Sequence, residues 1–216
     1  RTKHGAFLDL DDFIDRVAIS LEQLSILIKI NAFAFTNRNK RELLWEAHMK
    51  VHKVVLEETI TTLFKSEKIT YKTPVLVSTN FENAFDEIQY IGFPLCSPFK
   101  LLKQPLQQEL FANDLLNFIG KTITVYGYYV TAKKTMTSKG DLMYFGTFID
   151  TKGEHIDTVH FPPIAKKYPL KGRGVYKIIG KVTEEFDCVS IEVSFMEKLA
   201  IIQDPRYTDE PTQKAG

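Results

Sequence analysis

Apolar and polar residues alternate in short runs over the last third of the chain, whereas in the first third apolar residues recur at helical spacing. From Lys121 to Val130, Ile123 and Val125 fall on one parity and Tyr126, Tyr128 and Val130 on the other, in a run rich in β-branched and aromatic residues; this predicts a strand. The polar stretch Lys133-Lys-Thr-Met-Thr-Ser-Lys-Gly140 reads as a loop, followed by a second strand from Leu142 to Ile149. Asp150-Thr-Lys-Gly153 predicts a hairpin turn, because glycine supplies the positive φ such a turn needs. A third strand, His155 to Phe161, stops at Pro162-Pro163, where ladder donors are missing. One or two helical turns from Pro163 to Tyr168 follow, then strands at Val175 to Val182 and Val189 to Leu199, joined by the polar turn Glu184 to Asp187.

The N-terminal pattern is helical. Asp9, Asp11 and Asp12 start a helix whose stripe is Leu10, Phe13, Ile14 and Val17. Ser20-Leu-Glu-Gln23 is a capping box opening a second helix, with Leu21, Leu24, Leu27 and Ile28 inward and Asn31 as a left-handed stop. Asn39-Lys-Arg-Glu42 caps a third, carrying Leu43, Leu44, Ala47, Val51 and Val54. Periodicity lapses from Glu67 to Ser78 and resumes as a single face at Phe81, Ala84, Phe85, Ile88 and Ile91, ended by Gly92-Phe-Pro94. Gln107 to Phe118 forms a last short helix.

Three strands, a short helix and two more strands is the order of an OB barrel, a fold that binds ligands on its second and third strands and flanking loops. The fold class expected is therefore α+β: a helix-hairpin-helix-like N-terminal part followed by a five-stranded OB-fold barrel. The expected divisions are a helical region at 1–66, a connecting region with short helices at 67–115, the barrel at 116–202 and a flexible tail at 203–216. With 216 residues, 44% hydrophobic and 25% charged, the chain has the composition of a globular protein. A net charge of +1 restricts any polyanion-binding surface to a local patch. Cys96 and Cys188 are too few for a disulfide framework and read as reduced thiols, Cys188 packed in the barrel wall. No apolar run approaches membrane-spanning length, so a cytoplasmic protein without membrane contact is expected. Arg1 in first place points to a piece of a longer protein.

Several segments together resemble the C-terminal region of the bacterial replicative DNA polymerase III alpha subunit, from about Ala6 to Leu199. They are Phe7-Leu-Asp-Leu-Asp-Asp-Phe13, Arg16-Val17, Leu24 to Ile28, Ala32-Phe33 and Asn37-Arg38 in the helical part. Next comes Ile91-Gly-Phe-Pro-Leu-Cys-Ser-Pro-Phe99, which lacks the family's histidine. In the barrel they are Thr137-Ser-Lys-Gly140, Met143, Phe145, Thr147-Phe148, Asp150, Gly153 and Phe161-Pro162. The resemblance implies the second half of a tandem helix-hairpin-helix, a clamp-contacting region and an OB domain. The family's metal-binding aspartates lie elsewhere, so DNA synthesis and its Mg2+ would belong to the parent polymerase, with no catalytic residue and no cofactor in this fragment. Implied partners are single-stranded DNA, the sliding clamp and other replisome subunits.

The family pattern also places Leu142, Tyr144, Gly146 and Phe148 toward the core and Met143, Phe145, Thr147 and Ile149 outward. Phe145 is then the platform for a stacked base, flanked by Met143 and Thr147, with Lys133, Lys134 and Lys139 in the preceding loop contacting phosphates. Lys166, Lys167, Lys171 and Arg173 either extend that patch or belong to a solvated helix and turn, which explains them equally well. The plainer alternative is that Phe145 packs under the loop and the lysines solubilise it. Arg38, Lys40 and Arg41 are read as structural, because Asn31 stands where the family's hairpin has glycine. The clamp-binding pentamer matches Ile60-Thr-Thr-Leu-Phe64, with Leu63 and Phe64 as apolar anchors and Ile60 in place of glutamine; Gln107-Gln-Glu-Leu-Phe111 ranks second. Buried helix-end positions explain Leu63 and Phe64 equally well. His48 and His52, four apart, read as exposed helix histidines rather than metal ligands. Two other readings of the barrel are a protein-docking module without DNA binding and an anticodon-binding OB domain.

Overall fold

The computed structural model describes residues 5–57, 76, 81–106, 110–185 and 188–207. They divide into two units, one within Arg1–Pro94 and Asp204–Gly216, the other within Leu95–Gln203. The stretch 67–115, expected as a connector, is thus shared between both.

In the first unit, α1 (Leu10–Arg16) is capped by Asp9, whose carboxylate accepts from the Asp12 N–H. The Ser20 and Gln23 side chains form the anticipated capping box on α2 (Leu21–Lys29), and Asn31 beyond it has a φ of 66°. Asn39 Oδ1 accepts from the Arg41 N–H at 2.9 Å to start α3 (Lys40–Glu57). Leu10, Leu24, Ile28, Phe33, Leu43 and Ala47 close into one core.

Helix α4 (Glu82–Ile91) departs from its pattern. Of the anticipated apolar face only Ala84 is fully buried and Phe81 is exposed, while Glu82, Asp86 and Glu87 are buried. Each acid meets a base: Glu82 pairs with Arg41, Lys40 Nζ stands 3.4 Å from Glu87 Oε1, and Arg206 Nη1 is 2.6 Å from Asp86 Oδ1. Buried carboxylates persist only with such partners, and apolar periodicity carries no sign of them. Arg206 lies in a short 3-10 turn, Pro205–Tyr207, inside the stretch anticipated as a flexible tail, and this ion pair gives it a fixed place.

The second unit is a closed barrel of β1 (Thr122–Met136), β2 (Leu142–Ile149), β3 (His155–His160), β4 (Val175–Glu185) and β5 (Cys188–Lys198). Helix α5 (Pro162–Lys167) links β3 to β4, and the strand order is β1-β2-β3-β5-β4. All pairs are antiparallel except β3 with β5, the arrangement of an OB fold. Val125, Phe148, Ile156, Tyr176, Ile178, Val182 and Ile191 fill the interior. Phe148, Tyr129 and Tyr176 meet edge to face, with centroids 5.6 to 6.3 Å apart. At Gly180 an added Cβ would sit 2.3 Å from the Glu192 carbonyl oxygen, so only glycine fits where β4 and β5 shift register. The segments before and after the barrel are paired: Leu102 bridges Ile201, Lys103 N–H donates to Ala200 O at 3.1 Å, and Ile202 N–H donates to Leu101 O at 2.8 Å.

Candidate nucleic-acid interface

Strand β1 is longer than anticipated, running to Met136 and taking Lys133 and Lys134 out of the expected loop. Its pairing with β2 shifts between Tyr129 and Thr131, leaving Val130 as an extra residue. Before this bulge Ile123, Val125 and Gly127 point inward; past it the parity inverts. Lys133 therefore pairs with Phe145, and Phe145 in turn with Val159 of β3. Residues directly opposite share a face, so these three form one row on the outside of the barrel. The neighbouring rows are Thr135 with Met143, and Thr131 with Thr147 and Asp157.

On this open face Phe145 is 45% exposed, Lys133 is exposed, and Met143, Thr147 and Val159 are half-buried. The partition anticipated within β2 holds at Gly146 and Phe148, buried on the other side, but not at Leu142, which is exposed at the start of the strand. Lys134 does not join the face. It pairs with Tyr144, which pairs with the fully buried His160, so adjacent lysines on a strand point to opposite sides. Lys139 is exposed in the turn that closes the β1–β2 hairpin, where Thr137 N–H donates to Asp141 O at 2.8 Å.

Arg173 is exposed in the link between α5 and β4, where its charge reaches Tyr128. Burial pushes the Tyr128 phenol above its usual range and the guanidinium works against that shift. Tyr176 holds the link: its hydroxyl donates to Gly172 O at 2.7 Å and accepts from the Lys171 N–H at 3.0 Å. Lys167, Lys171 and Lys198 line a separate cavity of about 440 Å³ with Tyr168, Tyr176 and Glu197.

Four buried residues, Gly146, Asp150, Thr158 and His160, support the face and its β2–β3 turn, and the sequence marked none of them as functional. Thr158 donates its hydroxyl to Gly146 O at 2.9 Å, so it must accept from His160 Nε2, 2.9 Å away. That leaves His160 Nδ1 buried without a hydrogen-bond partner, and burial holds the imidazole down at about pKa 4. A Cβ on Gly146 would come within 2.8 Å of Thr158 Oγ1, which is why glycine lies beneath the row of Phe145. Asp150, also buried, accepts from the N–H groups of Ala112, Lys152 and Glu154 at 2.8 to 3.0 Å, tying the segment before the barrel to the β2–β3 turn.

Other candidates fall elsewhere. Ile60, Leu63 and Phe64 lie outside the described residues, as do Gln107, Gln108 and Glu109 of the second pentamer. Phe111 is half-buried, with Lys152 Nζ 3.4 Å from its ring centre. Arg38 pairs with Glu46, so Arg38, Lys40 and Arg41 all serve ion pairs within the helical unit. His48 is exposed on its helix, as anticipated, and its Nδ1 lies 2.7 Å from Leu44 O. Cys188 is exposed at the start of β5, not packed in the wall, because it pairs with exposed Glu185 at the end of β4. No described helix is long and apolar enough to cross a membrane.

The helix-hairpin-helix motif family matches residues 1–43. No curated protein matches the chain. Among solved structures, the chain is similar to the second OB-fold domain of replication protein A from Methanococcus maripaludis, at 16% identity over 37% of this chain and 85% of that one, TM-score 0.28. The S. pombe Stn1–Ten1 complex matches at 16% identity over 44% and 79%, TM-score 0.34. RecG bound to a three-way DNA junction matches over 96% of this chain and 33% of its own, at 15% identity and TM-score 0.30. The chain combines a helical N-terminal part containing a helix-hairpin-helix motif with a closed five-stranded OB barrel.

Proposed function

We propose that the barrel binds single-stranded DNA across the outer face of β1, β2 and β3. The observation that carries this reading is Phe145, an aromatic ring left open on a sheet face with Lys133 directly beside it. A base stacks on such a ring whatever its identity, and a neighbouring ammonium meets the phosphate. Lys139 at the hairpin tip and Arg173 near Tyr128 supply further positive charge toward the two ends of the face.

Within that reading, the resemblance of the whole chain supports a place in the accessory region of a bacterial DNA polymerase III alpha subunit. The barrel would hold single-stranded template, while Ile60, Leu63 and Phe64 would tether the parent enzyme to its sliding clamp. Tethering raises the effective concentration of polymerase at the primer end. DNA synthesis and its Mg2+ would reside in other parts of the parent protein, and other replisome subunits and a cytoplasmic setting belong to the same proposal.

The test is fluorescence anisotropy of a labelled single-stranded oligonucleotide at several salt concentrations. Lys133→Ala weakens binding and lowers the salt slope by about 0.7, the value for one phosphate contact on a single strand. Lys134→Ala, on the other side of the strand, leaves both nearly unchanged. Absence of binding at low salt by the folded chain would make protein docking the better assignment of this face.

A further inference from the structure

Charge on the proposed binding face is segregated across Phe145. Lys133 stands opposite it on β1. On the far side Asp157 is exposed in the next row of β3, while Glu192 of β5, opposite Val159, faces Lys181 of β4 across its other edge. Asp157 is also fixed in direction, because Thr147 Oγ1 donates to its Oδ1 at 2.8 Å. Its other oxygen has no hydrogen-bond donor among the described residues, and the side chain is exposed one row from Phe145.

A nucleotide stacked on Phe145 has its phosphates on one side and its base-pairing edge on another. Coulombic attraction draws the phosphates to Lys133, and repulsion keeps them from Asp157, so the base edge is turned toward that carboxylate. An ionised carboxylate accepts hydrogen bonds and donates none. Cytosine offers its N4 amine there, whereas thymine shows a carbonyl oxygen at the same position. The geometry points to Asp157, oriented by Thr147, as a base-selecting residue that favours amine-bearing bases over thymine or uracil at the nucleotide stacked on Phe145. This rests on the single-strand-binding reading and adds selectivity to it.

The experiment compares labelled oligo-dC and oligo-dT of equal length at neutral pH, using the whole chain, its Asp157→Asn variant and Phe145→Ala. Wild-type protein binds oligo-dC about fivefold tighter than oligo-dT, the scale of one exposed base contact. In Asp157→Asn the Thr147 bond survives through the amide oxygen, the preference falls to about one, and oligo-dT binding strengthens as the repulsion disappears. Phe145→Ala weakens both ligands together. Equal wild-type affinities, or a substitution at Asp157 that weakens both oligonucleotides equally, would overturn base selection and leave single-strand binding standing. Binding of neither oligonucleotide would overturn single-strand binding itself, and base selection with it.

Discussion

His160 illustrates how a single buried ring can set the response of the barrel to acid. Its folded pKa of about 4 lies below the ordinary 6.5, so between those values the unfolded chain holds a proton that the folded chain refuses. The stability this residue permits is complete above about pH 6.5 and is lost as pH falls toward 4. The full swing amounts to roughly 3 kcal/mol at about 1.4 kcal/mol per unit. Urea unfolding across that range should show it, and His160→Gln should flatten the profile relative to wild type. Parallel profiles for the two proteins would mean that the imidazole titrates as freely when folded as when unfolded. Nothing in the sequence distinguished this histidine, because its burial follows from pairing with Tyr144 across β2 and from the small Gly146 beneath it.

At the scale of elements, alternation within β2 and the end of β3 at consecutive prolines were legible, because each depends on neighbours in sequence. The face itself was only half legible. Whether Lys133 or Lys134 accompanies Phe145 is decided by the bulge at Val130, and a bulge is a mismatch between two strands that one strand's parity does not reveal. The acids of α4 were hidden for a related reason: their partners Lys40 and Arg41 come from another helix, and Arg206 lies 120 residues away from Asp86. Asp150 was legible as a turn residue, but not as a junction between the turn and Ala112. Asp150→Ala leaves three N–H donors without their acceptor and should lower barrel stability by about 3 kcal/mol, as unpaired buried donors do. A thermal midpoint within a degree or two of wild type would mean that water replaces the carboxylate at no loss.

Across the whole molecule, each unit has a core of its own, one around Leu24 and Leu43 and one around Phe148 and Ile178. Trp45, the single tryptophan, lies in the helical unit and is a probe of it. Phe148→Ala removes a fully buried ring and should cost the barrel about 3 to 5 kcal/mol. Denaturation followed by Trp45 fluorescence should keep its midpoint, while hydrogen exchange at Ile156 and Ile178 accelerates. A shift of both signals together would show that the two cores unfold as one.

The paired segments at Leu102 and Ile201 bring the incoming and outgoing ends of the barrel side by side. A folded body whose two ends are already joined in register is a cassette. It can be spliced into a surface loop of an unrelated host, or exchanged for a barrel with a different face, without stretching the chain on either side. The outer face of the barrel could thus pass between unrelated proteins as one graft, with the host's own core left undisturbed.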